Sequence, residues 1–192
     1  MTKIKLRGLV AATHTPFHQN GDLNLAIVEV QAAHLLRHGV QTAFIGGTTG
    51  ESSSLTLAER HALAARWLEV ARGTNLQVIV HVGSNCLADS RALAQQAQQL
   101  GALAISAVAP SYFKPATIPI LVQSMADLAA AAPELPFYYY EIPTLTGLTL
   151  SPSAFLENAA DQIPNLAGLK FTSSNLMEYQ LCASLRGGQF DV

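Results

Sequence analysis

VIVHVGSNCLADSRALAQQAQQLGALAISAVA, residues 78–109, contains the unit on which the fold turns. Val78 to Val82 is a short apolar run rich in β-branched residues and reads as a strand. Leu87 to Leu100 has a helical pattern, Gly101 stands where a helix stops, and Ala104 to Ala109 is again a short apolar run. The same alternation extends both ways along the chain. Strand-like runs recur at Gly8 to Thr13, Ala43 to Gly46, Phe137 to Ile142 and Ala167 to Thr172, and Gln189 to Val192 opens a seventh. Between them lie helical patterns at Asn24 to His38, Leu57 to Arg72, Ile118 to Ala132, Pro152 to Asp161 and Leu176 to Arg186. Thr56-Leu-Ala-Glu59 has the form of a capping box, and Gly39 and Gly73 mark two more helix ends.

Strand then helix, repeated about six times, requires a parallel sheet covered by helices. No linker or low-complexity stretch interrupts the order, so residues 1–192 read as a single domain. Two architectures satisfy the pattern. An open doubly wound sheet suits 192 residues, whereas a (β/α)8 TIM barrel typically needs about 250. The polar chemistry nevertheless falls at the C-terminal ends of several strands, as in barrel active sites, rather than at one switch point. A barrel is therefore the expected fold.

Composition narrows the function. Charged residues make up 12% of the chain and the net charge is −2, with no basic stripe for nucleic acid. The stretch Met1 to Val10 is basic but lacks the apolar core of a signal peptide, and no apolar run approaches a membrane span. Cys86 and Cys182 lack metal-ligand spacing and read as reduced thiols of a cytoplasmic protein.

Lys170, one of four lysines, interrupts the apolar run Leu166-Ala-Gly-Leu-Lys-Phe-Thr172. Burial disfavours an ammonium, and a lysine held neutral is a nucleophile for carbonyl carbon. A lysine at a strand end also snorkels to water, so this run alone leaves both roles open. Alternation puts Lys170 and Thr172 on one face, with Tyr138 and Tyr140 sharing a face of the neighbouring run Phe137-Tyr-Tyr-Tyr-Glu-Ile-Pro143. A tyrosine hydroxyl there could relay a proton to substrate oxygen. The turn Gly46-Gly-Thr-Thr-Gly-Glu51 offers Thr48, Thr49 and backbone N–H groups to an anion; it lacks the Lys of a phosphate-binding loop, so a carboxylate is the expected ligand. A proline-bracketed loop, Ala109-Pro-Ser-Tyr-Phe-Lys-Pro115, presents two aromatics.

Other chemistries find no support. His34 and His38 have i, i+4 spacing but no accompanying Glu and no third metal ligand, and His81 reads as a hydrogen-bonded core residue. Ser52-Ser-Ser54 lacks the Gly-x-Ser-x-Gly elbow of a serine hydrolase.

Thr15-Pro-Phe17, Gly46-Gly-Thr-Thr-Gly-Glu51, His81-Val-Gly83, Tyr140-Glu-Ile-Pro143 and Gly168-Leu-Lys-Phe-Thr172, in this order and spacing, resemble the class I pyruvate-dependent aldolases that include N-acetylneuraminate lyase and dihydrodipicolinate synthase. The resemblance implies a (β/α)8 barrel with a helical C-terminal extension, a tetrameric assembly, a small-molecule keto-acid substrate and no cofactor. It also implies that Lys170 forms a Schiff base with pyruvate, that Thr48 and Thr49 hold the pyruvate carboxylate, and that Tyr140 relays the proton. Tyr112 matches a loop tyrosine that reaches a neighbouring subunit, although the flanking Ser111 and Phe113 depart from the commoner paired tyrosines. Leu145 stands where dihydrodipicolinate synthases carry an arginine for a second carboxylate. The segments around His81, Tyr140 and Lys170 look most like sialic acid lyases, in which the Thr172 position contacts substrate. The expected reaction is retro-aldol cleavage of N-acetylneuraminate to pyruvate and N-acetylmannosamine. The alternatives are a 2-keto-3-deoxy sugar acid aldolase, a dihydrodipicolinate synthase, or a non-catalytic paralogue acting by assembly.

Set against that family, the chain ends where strand seven begins, after about six βα units. The expectation is a fragment of a longer barrel, without its last units and helical extension.

Overall fold

A computed structural model of the chain describes residues 5–192; Met1 to Ile4, the start of the basic N-terminal stretch, lie outside the described residues. Six strands, β1 (Val10–Ala12), β2 (Thr42–Ile45), β3 (Gln77–His81), β4 (Ala104–Val108), β5 (Phe137–Tyr140) and β6 (Leu166–Lys170), form one sheet. All neighbours pair in parallel, in the order β1-β2-β3-β4-β5-β6. That order decides between the two architectures. Crossovers of one hand that always step the same way put every helix on the same face, and the sheet curls around the other. A doubly wound sheet would reverse direction once. The molecule is a six-stranded portion of a barrel.

The helices α1 (Ile27–Arg37), α2 (Leu57–Ala71), α3 (Leu87–Gln99), α4 (Ile118–Ala129), α6 (Pro152–Ala159) and α7 (Leu176–Gly188) follow successive strands, with a short α5 (Pro143–Thr146) after β5. Their starts follow from local chemistry. Thr56 and Glu59 complete the expected capping box, and Ser151 and Asn175 accept from the amides of Ala154 and Glu178. The backbone of α7 leaves helical geometry at Leu185, and Arg186 adopts φ 48. Most strands end a residue or more before the expected limits: β5 stops at Tyr140 and β6 at Lys170, so both residues sit on the rim.

Alternation divides the strand residues between two layers. Ala43, Ile45, Val78, Val80, Ile105, Phe137, Tyr139 and Leu169 pack against the helices, where Trp67, Phe155 and Leu121 are fully buried. Phe44, Ile79, Ala104, Tyr138, Tyr140 and Ala167 point to the inside of the curl. A register shift opposite Phe137/Tyr138 leaves Ala167 as an extra residue in β6 and brings Tyr140 directly beside Lys170.

The expected seventh strand has begun. Asp191 pairs in parallel with Gly168; its amide donates to Ala167 and its carbonyl accepts from Leu169. A Cβ on Gly168 would lie 1.9 Å from that carbonyl oxygen, so only glycine allows the approach. The Asp191 carboxylate accepts from the Leu6 amide at 2.7 Å and the Tyr138 hydroxyl at 3.1 Å. The two ends of the described chain thereby meet across the inner cavity, which has a volume of about 260 Å³.

Candidate active site

Lys170 is the last residue of β6, half-buried on the inner face. Its ammonium lies 3.9 Å from the centre of the Tyr140 ring and 5.7 Å from that of Phe44. Aromatic faces attract a cation through their quadrupole without neutralising it, so the amine is held in place by rings. The Tyr140 hydroxyl donates to Thr48 Oγ1 at 3.2 Å. One tyrosine thus touches the lysine with its face and the Gly-rich turn with its hydroxyl.

The turn is fixed from several sides. Gly46 has φ +60, and a Cβ on Gly47 would lie 2.3 Å from the Phe44 ring. The Thr15 hydroxyl donates to the Gly50 carbonyl at 2.6 Å, and the amides of Glu51 and Ser52 donate to Thr48 and Gly47. Thr48 is exposed and Thr49 half-buried. Among the described residues, neither threonine's amide has a protein acceptor. Two hydroxyls and two amides clustered in this way suit a carboxylate.

Below the turn, His81 is 3% exposed and Arg60 8%. Arg60 reaches from α2 to the carbonyls of His81 and Gly83, each at 2.9 Å. Burial pushes its guanidinium down to about 10, with Asp89 opposing the shift. Burial first, and the charge of Arg60 second, push His81 down to about 3, leaving a neutral ring. Tyr138 holds its proton well above the usual phenol range, because it is buried and faces Asp191.

The other expected residues are placed differently. Tyr112 is 78% exposed on the loop after β4, stacked edge-on against Phe113 at 5.0 Å, with no contact to Lys170, Tyr140 or Thr48 among the described residues. Thr172 follows β6; its hydroxyl donates to the Glu141 carbonyl at 2.8 Å and its amide to the Glu141 carboxylate at 3.1 Å. It ties the ends of β5 and β6 together. Leu145 is 64% exposed on α5, so no cation occupies that position. His34 and His38 stack on the exposed side of α1, and no cluster of three metal-ligating side chains occurs among the described residues.

Three organising residues were not singled out as site residues from the sequence. Asn85 Oδ1 accepts from the amides of Ser111 and Tyr112 and so shapes the aromatic loop, a contact across strands that no spacing reveals. Glu141 is buried and serves Thr172. Arg60 had a signal: it occupies a position on the apolar stripe with Leu63, Ala64, Trp67 and Leu68, where a charge needs buried partners.

Comparison with known proteins places this geometry. The profile of the dihydrodipicolinate synthetase family matches residues 5–187. Over 181 residues, 94% of the chain, the sequence is 46% identical to N-acetylneuraminate lyase B of Xenopus laevis, 68% of which is covered. It is 42% identical to the N-acetylneuraminate lyase of Homo sapiens, of which 57% is covered. The solved N-acetylneuraminate lyase (sialic acid aldolase) of Aliivibrio salmonicida superposes with a TM-score of 0.95 at 42% identity, over 98% of this chain and 62% of that one. The chain therefore spans roughly three fifths of such relatives.

Proposed function

Since the chain belongs to the dihydrodipicolinate synthetase family, we propose that the protein is a class I aldolase that cleaves N-acetylneuraminate to pyruvate and N-acetylmannosamine. The observation that carries this reading is the Lys170 ammonium on the Tyr140 ring, with the Tyr140 hydroxyl on Thr48.

The reaction follows from that arrangement. After losing a proton, the Lys170 amine adds to the keto carbon of the open-chain sugar acid, and the carbinolamine loses water to give a protonated imine. A base removes the proton of the C4 hydroxyl, the C3–C4 bond breaks, and its electron pair moves into the imine to give an enamine. The aldehyde leaves as N-acetylmannosamine. Protonation of the enamine at C3 and hydrolysis of the imine release pyruvate and restore the lysine. Tyr140, with Thr48 behind it, carries the proton to and from substrate oxygen; Thr48 and Thr49 hold the carboxylate. Thr172 stands beside the substrate at the strand end. Tyr112, on its exposed loop, extends towards the site of a second copy in a tetramer. The two free cysteines accord with a reducing, cytoplasmic setting.

The apolar Leu145 favours a sugar acid over a dicarboxylate, which would lack a charge partner there. Pyruvate release from N-acetylneuraminate, followed by a coupled reductase and compared with release from 2-keto-3-deoxy sugar acids, tests the reading. Faster turnover of the deoxy acids would overturn the choice of substrate.

A further inference from the structure

We propose that His81 is the positioning residue that sets the 46–51 loop, and with it Thr48 and Thr49, against Tyr140 and Lys170. The proposal deepens the lyase reading and rests on it for its meaning in substrate binding. His81 joins three elements. The Val108 amide at the end of β4 can only donate, so its 3.3 Å bond makes His81 Nε2 an acceptor. The Gly46 carbonyl can only accept, so Nδ1, 2.9 Å away, carries the proton. Arg60 Nη2 also lies 3.5 Å from Nδ1, but it already donates to the His81 carbonyl at 2.9 Å, so the shorter contact to Gly46 assigns the proton to Nδ1. Arg60 holds the carbonyls of His81 and Gly83 from the helix side and fixes the strand end beneath the ring.

Neighbouring glycines make room for this contact. A Cβ on Gly83 would lie 2.9 Å from His81 Nε2 and 2.8 Å from the Val108 nitrogen. Gly46 in the left-handed region turns its carbonyl towards the imidazole. The His81 and Phe44 rings both meet Tyr140 edge-on, at 5.9 and 5.7 Å. The ring that holds the first loop residue is therefore also packed on the proposed proton carrier. Burial first, then the charges of Arg60 and Lys170, disfavour protonation of the ring, so the Nδ1–H donor to Gly46 is kept near neutral pH.

Two substitutions separate the bonds. His81→Asn puts an amide nitrogen near the place of Nδ1 and keeps the donor to Gly46, whereas His81→Gln reaches towards Val108 and leaves Gly46 without one. In borohydride trapping with pyruvate, the half-saturating pyruvate concentration is expected to rise about tenfold in His81→Gln, the equivalent of one lost hydrogen bond. In His81→Asn the rise is expected to be smaller, because the donor to Gly46 is kept. Amide exchange over residues 46–51 is expected to speed up in His81→Gln alone. Equal effects in the two variants, or the reverse ranking, overturn the proposal. If the unmodified chain takes no pyruvate adduct, the lyase reading fails, and loop exchange still decides whether His81 holds the loop. Nitrogen-15 NMR of the unmodified protein needs no variant to fold: an Nδ1–H tautomer at neutral pH is expected, and an Nε2–H tautomer or an imidazolium overturns the proposal.

Discussion

The two faces of the sheet are built from alternate residues of the same strands, yet they ask different things of a side chain. On the outer face, Val78, Ile105, Phe137 and Leu169 meet helices and are selected for volume; the layer is apolar and closed. On the inner face, Phe44, Tyr138 and Lys170 line a cavity, with Tyr140 packed on Phe44 and Lys170, and directed contacts hold them: ring against ring, ammonium on ring, and the tyrosine hydroxyls on Thr48 and Asp191. The contrast is plainest in the cations. Arg60, between the layers, has its donors on backbone carbonyls at 2.9 Å and stabilises a strand end. Lys170, within the curl, lies against ring faces and makes no ion pair among the described residues. One face sets the fold and the other holds the residues proposed for the chemistry, so substitutions on the two should separate stability from activity.

The sharpest separation comes from Lys170→Ala. Lyase activity is expected to fall at least about a thousandfold, because the covalent route ends with the amine. The urea midpoint should move little, since the ammonium makes no ion pair among the described residues. A large loss of stability would break the comparison. Phe155→Ala makes the opposite change: it opens a cavity beneath a ring packed 4.5 Å from Tyr139 and should cost about 3–5 kcal/mol in urea unfolding. The protein that remains folded should trap pyruvate with unchanged affinity.

Much of this division was legible beforehand. The strand and helix positions followed from period and capping, and Lys170 stood out because an ammonium interrupts an apolar run. The curl did not follow from local pattern, because sequential strand order is a property of crossovers between distant segments. The placement of Tyr140 beside Lys170 depended on the extra residue at Ala167, which alternation alone does not reveal. The roles of Asn85 and Glu141 lie in contacts to backbone atoms of other elements, and backbone atoms leave no trace in residue identity.

Tyr140→Phe tests the inner face alone. It keeps the ring under the ammonium and removes the hydroxyl on Thr48, so turnover should fall about a hundredfold, the lower range for a lost proton carrier. Stability should be nearly unchanged, and an equal loss of pyruvate affinity would assign the hydroxyl to binding instead. The smallest effect is one of pH. His81 has its folded value pushed from 6.5 down to about 3, so the unfolded chain takes up a proton first as pH falls. The stability linked to it is complete above the unfolded value and is lost as pH drops towards the folded one. Between pH 6.5 and pH 5 the loss should reach about 2 kcal/mol, and His81→Asn should remove that slope. An unchanged slope in the variant would place the acid sensitivity elsewhere.

The lyase proposal stands or falls with Lys170 as the Schiff-base amine. Incubating the chain with pyruvate and borohydride, then mapping the modified peptide by mass spectrometry, tests it directly. One reduced pyruvate adduct is expected, on the peptide containing Lys170, absent from Lys170→Ala. A folded protein that takes no adduct, or takes it on Lys5 or Lys114, would contradict it.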